Sequence, residues 1–224
     1  MNGLVASRLV SEFLFGFGAL FAIINPYGLA FVFLDKTISL SDHERNRIAR
    51  RVAIYAFGVL LVSLFIGSQI LNLFGITIPA LRIAGGLVVA VSGWSMLHAS
   101  PPTSAGHATS TGDFATVQKM AFFPLTIPLT AGPGTIATAI AIGANRPKAL
   151  DQLFSTTVSW LVVASAVTAT IYHAYRRSGA MARLFGEEAT SIITRLSAFL
   201  LLCVGVQIII TGMIEVARSL VNHA

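Results

Sequence analysis

The sequence predicts an all-α polytopic membrane protein: six transmembrane helices arranged as two inverted three-helix repeats, with helices 1 and 4 broken near the bilayer midplane. Three observations carry this. The 224 residues are 55% hydrophobic and only 11% charged, with a mean hydropathy of +0.79; ordinary soluble domains carry about 25% charged residues. The apolar residues are gathered into six long runs. The two halves of the chain present the same motifs in the same order. So little charge excludes a soluble enzyme, a disordered chain and a nucleic-acid binder. The net charge of +6 is spread through apolar sequence, which suits membrane-flanking positions better than a binding stripe.

The runs are 13–34, 52–74, 76–97 (interrupted by Arg82), 120–145, 153–172 and 196–214. About 20 helical residues cross a hydrocarbon core of about 30 Å, and all six reach that length or fall one residue short. A backbone in lipid must satisfy its own hydrogen bonds, so each run is expected to be helical. Runs 2 and 3 nearly touch, with Gly75 and Pro79 supplying a short turn. Runs 3 and 4 are joined by 99–119, rich in Pro, Gly, Ser and Thr, which reads as a flexible cytoplasmic linker. The chain therefore divides into a first repeat (1–98), the linker, and a second repeat (120–224). The N-terminal run is too long for a signal-peptide core and has no small-residue cleavage site, so it is retained as helix 1. Nine Lys and Arg fall in loops 1–2, 3–4 and 5–6 against four on the other side. That bias places the first set in the cytoplasm and both termini outside.

Single Cys203 permits no intrachain disulfide, and the five histidines are scattered. Neither a thiolate metal site nor metal catalysis has support in the sequence. No cofactor is expected.

The repeat is read from LFG at 73–75 followed by Arg82, and LFG at 184–186 followed by Arg195. Upstream, Asn25-Pro26-Tyr27-Gly28 in helix 1 answers Ala131-Gly132-Pro133-Gly134 in helix 4. Pro26 precedes Arg82 by 56 residues and Pro133 precedes Arg195 by 62. Three helices per half is an odd number, so the second half enters the membrane inverted, a signature of secondary transporters.

The chemistry is expected at the two breaks. Pro lacks an N–H and Gly is a poor helix former. Asn25 lies about 18 Å into helix 1 at helical rise, and Gly132 is at a similar depth in helix 4. Freed backbone groups there must face protein or a watery cavity. Pro26 and Pro133 suit the first turn of a new half-helix, whose positive end favours an anion such as a carboxylate. Asn25, Thr126, Thr130 and Thr135 are nearby polar groups for an ammonium or hydroxyl. No carboxylate lies in either central stretch, which suits a zwitterion better than a free cation. The plainer alternative is two kinked helices packed through glycines without a ligand. Arg82 and Arg195 open helices 3 and 6 as gate residues or as snorkelling anchors. Gln207, aligned with Trp94 when Arg195 is laid over Arg82, lines a pathway or holds helices together. Glu12 and Glu215 are placed at the interface, and 43–51 (HERNRIARR) reads as a cytoplasmic anchor. Gly85, Gly86 and Gly93 suit packing within the fold or against a second copy as a homo-oligomer.

Three segments carry a family resemblance. FPLTIPLTAGPGTIATAI (123–140) resembles the helix-4 signature of the MarC, or neutral amino acid transporter, family of the lysine-exporter superfamily. INPYG (24–28) resembles its helix-1 signature, and FGITIPALRIAGGLVV (74–89) its helix-3 signature. The chain departs where Phe31 stands at the position of a second proline. The resemblance implies a six-span inner-membrane carrier of glycine, alanine and other small neutral amino acids, coupled to H+ or Na+. It places the motif on Asn25, Pro26, Gly28, Arg82, Pro128, Gly132, Pro133, Gly134 and Thr135. The expected function is thus a secondary transporter of small neutral amino acids or similar metabolites by alternating access, not an enzyme. The rivals are a non-transporting membrane helper, an exporter of another metabolite or drug, and a channel. A membrane-embedded enzyme would need an intramembrane Asp or His cluster, and the sequence has none.

Overall fold

A computed structural model describes residues 2–38, 40–98, 121–144 and 150–223. The expected linker at 99–119 lies outside them. The elements are α1 (Asn2–Ile24), α2 (Pro26–Lys36), α3 (Asp42–Phe65), α4 (Gly67–Leu73), α5 (Ile78–Leu97), the π-helix α6 (Ala121–Thr130), α7 (Pro133–Ala144) and α8 (Leu150–His223). Among the described residues there is no strand. Run 1 is α1 and α2 end to end. Run 4 is α6 and α7. Runs 5 and 6 are the two arms of α8, which turns at Gly186 with φ 79° and ψ 171°.

Local sequence explains these boundaries. Ser41 opens α3 with a capping box: its hydroxyl accepts from the Glu44 N–H while Glu44 accepts from the Ser41 N–H. Thr77 caps α5 by accepting from the Ala80 N–H at 3.3 Å, so Pro79 sits in the first turn, where its missing N–H does no harm. Gly75, at φ 65°, makes the preceding turn. Pro124 and Pro128 stand four apart in α6. A proline ring clashes with the carbonyl four residues back in an α-helix. α6 takes the wider π spacing, and the hydroxyls of Thr126 and Thr130 donate to the carbonyls five residues back, Ala121 and Leu125. α2 runs unbroken through Phe31, which is buried.

Among the described residues, five helices are long and apolar enough to cross a membrane: Leu9–Lys36, Asp42–Phe65, Ile78–Leu97, Ser155–Leu184 and Ser191–Val221. The fourth run, expected to be broken at Gly132-Pro133, is two short pieces of 10 and 12 residues, neither of them long enough to span a membrane alone. Polarity is inverted relative to a soluble protein. Leu14, Phe15, Leu73, Leu184 and Ile192 are more than half exposed, while Thr126, Thr130, Thr135, Thr168 and Ser178 are buried. Such an apolar exterior belongs in lipid.

Two packing zones hold the helices together. The first is a side-chain core of Leu20, Ile24, Phe33, Ile48, Leu60, Val163, Ile171 and Tyr175, drawn from α1, α2, α3 and the first arm of α8. The second is a glycine seam between α5 and the second arm of α8. A Cβ on Gly86 would lie 2.7 Å from the Gly205 carbonyl oxygen, one on Gly93 2.9 Å from that of Ala198, and one on Gly212 3.0 Å from that of Pro79. Rising numbers on one helix meet falling numbers on the other, so the two cross antiparallel at backbone contact. Gly86 and Gly93 are thereby used inside the chain, and Gly85 packs on the Pro133 backbone.

Candidate functional site: a cavity seated on two helix breaks

The first break is a single residue. Asn25 adopts φ 44° and ψ 61°, the only left-handed non-glycine among the described residues. Asn tolerates this conformation better than most residues. Its side-chain oxygen accepts from the Gly28 N–H at 3.3 Å, and Pro26 becomes the first residue of α2. Gly28 is required here, because an added Cβ would sit 2.9 Å from Asn25 Cγ. The backbone otherwise carries through: Asn25 N–H donates to Phe21 and Leu29 N–H to Asn25.

The second break follows α6. The Ala131 N–H donates to the Thr126 carbonyl in π spacing, and Ile136 N–H donates to the Gly132 carbonyl to start α7, with Pro133 as its first residue. α5 and α8 press on it. A Cβ on Gly134 would lie 2.8 Å from Ile208 Cδ1, 3.3 Å from Val89 and 3.9 Å from Ile23 Cγ2. Ile23 is two residues before Asn25, so the breaks adjoin.

Beside them lies a cavity of about 290 Å³, at the lower edge of small-ligand sites. Its inner end is Ile23, Gly132, Pro133 and Thr135. Its walls are Val32, Val88, Val89, Val91, Leu125, Leu129 and Leu201, and it reaches Lys36 in the last turn of α2 and Ser92, Ser95 and Met96 near the end of α5. Among the described residues, Lys36 is the one charged member of this lining.

The expected site residues separate accordingly. Gly132, Pro133 and Thr135 line the cavity. Asn25, Pro26 and Gly28 build the first break, and Gly134 allows the close approach of α5 and α8. Thr126 and Thr130 are buried and directed to α6 carbonyls; the Thr130 hydroxyl also meets the Tyr175 hydroxyl at 2.7 Å. Pro128 lies in α6. Arg82 pairs with Glu215 across α5 and α8. Arg195 and Gln207 are exposed on the second arm of α8, where the Gln207 carbonyl accepts from Thr211.

Several residues escaped the sequence reading. Lys36, Ser92 and Ser95 reach the cavity only because α2 and α5 bring them to its mouth. Tyr175, fully buried, stacks on Phe33 at 4.5 Å between ring centres and ties α8 to α2 and α6. Arg45, read as part of a surface anchor, is 8% exposed. It donates to the carbonyls of Thr37 and Leu40 and pairs with Asp42 at 2.7 Å, holding the α2–α3 loop against α8 at Gly179.

Comparison with known proteins bears on this architecture. The family profile described as MarC family integral membrane protein matches residues 10–217. The chain belongs to the MarC family. Curated MarC relatives agree over most of their length. The "UPF0056 inner membrane protein MarC" of Citrobacter koseri is 34% identical over 216 residues, covering 91% of this chain and 95% of that protein. The protein of the same name from Salmonella arizonae is 36% identical over 211 residues with the same coverage, and that of Escherichia coli O1:K1 / APEC is 34% identical over 215. No solved structure matches the chain. Membership makes the chain a multi-pass integral membrane protein, and its MarC relatives carry the name of inner membrane proteins.

Proposed function

We propose that this MarC-family chain is a secondary transporter moving small neutral amino acids or similar small metabolites by alternating access. The observation that carries the reading is a cavity seated on two adjoining helix breaks, one from each half of the chain. Transporters place substrate at such breaks, where half-helix ends offer backbone groups that lipid would not tolerate.

In this reading the protein has six spans, α6 and α7 together forming the fourth, arranged as two inverted repeats. Two pairs of features support the repeat. Pro26 and Pro133 both occupy the first position of the helix after a break. Gly75 and Gly186 both end an LFG tripeptide, and they are the two positive-φ glycines among the described residues. The membrane is the bacterial inner membrane, with loops 1–2 and 5–6 inside and both termini outside. The cavity, which reaches Lys36 and Met96, then faces the cytoplasm, and the Arg82–Glu215 pair closes the opposite end. The carrier needs no cofactor and is coupled to H+ or Na+.

The test is counterflow uptake in proteoliposomes with labelled alanine, glycine and serine, with and without a pH or Na+ gradient. Saturable uptake that unlabelled substrate competes away is the expected result. Well-folded protein that moves none of the three overturns the amino acid assignment.

A further inference from the structure

Resting on the carrier reading, we infer that the cavity selects monocarboxylates with a branched apolar body, and that Lys36 at its mouth is the group that recognises the carboxylate. Three features of the lining point this way. Its walls are aliphatic on every side: Val32 from α2, Val88 and Val89 from α5, Leu125 and Leu129 from α6. A glycine or serine would leave those walls in contact with water or with its own polar atoms, whereas an isobutyl or isopropyl group removes both surfaces from water.

The second feature is charge. Among the described residues Lys36 is the one charged member of the lining, and no carboxylate among them faces it across the cavity. An ammonium group would meet a cation at the mouth and only hydroxyls (Ser92, Ser95, Thr135) elsewhere. The described lining offers an ammonium no opposite charge, so an amine without a carboxylate is disfavoured there and an α-ammonium is not required. A carboxylate gains a charge-assisted hydrogen bond from the lysine. Asp35 lies 3.8 Å from Lys36, but both side chains are about half exposed. Such surface pairs hold little energy, and an ammonium has three donors to share.

The third feature is position. Lys36 is ten residues along α2 from Pro26, about 15 Å at helical rise, so it stands at the end of the cavity away from the breaks. The inner end carries the positive end of the α7 dipole. Both ends are therefore electropositive and the middle is apolar.

The experiment uses the purified full-length protein and labelled L-leucine in an equilibrium binding assay. The competitors are 4-methyl-2-oxopentanoate (the same skeleton without the ammonium), isoamylamine (the same skeleton without the carboxylate) and glycine (the carboxylate without the apolar body). Leucine and the oxo acid are expected to compete comparably. Glycine and isoamylamine should each be weaker by at least about tenfold, the scale of losing apolar contacts or a charged partner. Lys36→Gln should weaken leucine and the oxo acid about tenfold, Lys36→Arg should retain most of the affinity, and both variants should unfold at the wild-type temperature. Equal competition by glycine or isoamylamine, or an unchanged affinity in Lys36→Gln, overturns the inference. The alanine counterflow separates the two levels. Alanine uptake without leucine binding sinks only the selectivity claim. Loss of both sinks the carrier reading with it.

Discussion

Asn25 concentrates the strain of the first break in one residue. Its left-handed backbone costs an L-residue about 1–2 kcal/mol, offset by the cap its side chain makes to the Gly28 N–H. Asn25→Gly keeps the backbone conformation accessible and should lose only a few tenths of a kcal/mol. Asn25→Val forfeits the cap and meets the full conformational penalty, an expected loss of about 2 kcal/mol in thermal unfolding of the detergent-solubilised protein. Gly28→Ala should destabilise too, since its Cβ collides with the Asn25 side chain. At the second break, Gly132→Leu should abolish transport while the protein still inserts, because Gly132 lines the cavity rather than the core; normal flux in that variant would remove the cavity from the transport path. The proline and glycine signals made both breaks legible in sequence. The fate of Thr126 and Thr130 was not, because hydroxyls near a break serve the helix backbone or a ligand equally well, and only the π spacing of α6 assigns them to the backbone.

Among the elements, α5 and the second arm of α8 are the most tightly matched pair. Their seam depends on Gly86, Gly93, Gly205 and Gly212, each with no room for a Cβ. Gly205→Leu should drive the helices apart, with the cost of overpacking at about 1–3 kcal/mol or more and a loss of folded yield. Gly58→Ala is the matched control: nothing lies within 4 Å of its Cβ, so full yield and activity are expected. Gly186→Ala tests the turn instead. Space is free there but φ is 79°, so about 1 kcal/mol of stability should be lost without any clash. Helix existence followed from apolar run length. Which glycines face a helix and which face lipid did not, since Gly18 and Gly58 look like Gly86 until a neighbouring backbone is placed against them.

For the molecule as a whole, ionic contacts among the described residues tie distant parts of the sequence. Arg183 approaches Asp42 at 3.5 Å, putting the α2–α3 loop and the bend of α8 at the same end. Arg82 and Glu215 join the start of α5 to the last turns of α8. In a Cys203→Ser background, a cysteine at Arg183 should therefore react with an impermeant thiol reagent from one side of the membrane only, and one at Thr77 from the other. Labelling of both from the same side would contradict the topology. If the Arg82–Glu215 pair closes the outer end, Glu215→Gln should raise outer-side labelling of a cysteine at Ser92, and the exchange Arg82→Glu with Glu215→Arg should bring it back down. The sequence marked Arg82 and Glu215 separately and could not join them, because they stand 133 positions apart along the chain.

What the sequence determined by itself is whatever depends on local chemistry: apolar runs long enough to span lipid, helix breaks at Asn25-Pro26 and Gly132-Pro133, the turn at Gly75, and the motifs that mark the family. The antiparallel glycine seam, the burial of Arg45 and the presence of Lys36 in the cavity were decided by tertiary structure. The physical reason is range. Propensity, capping and hydropathy act within a few residues, whereas close backbone approach, ion pairing and the shape of a cavity exist only once remote helices have packed.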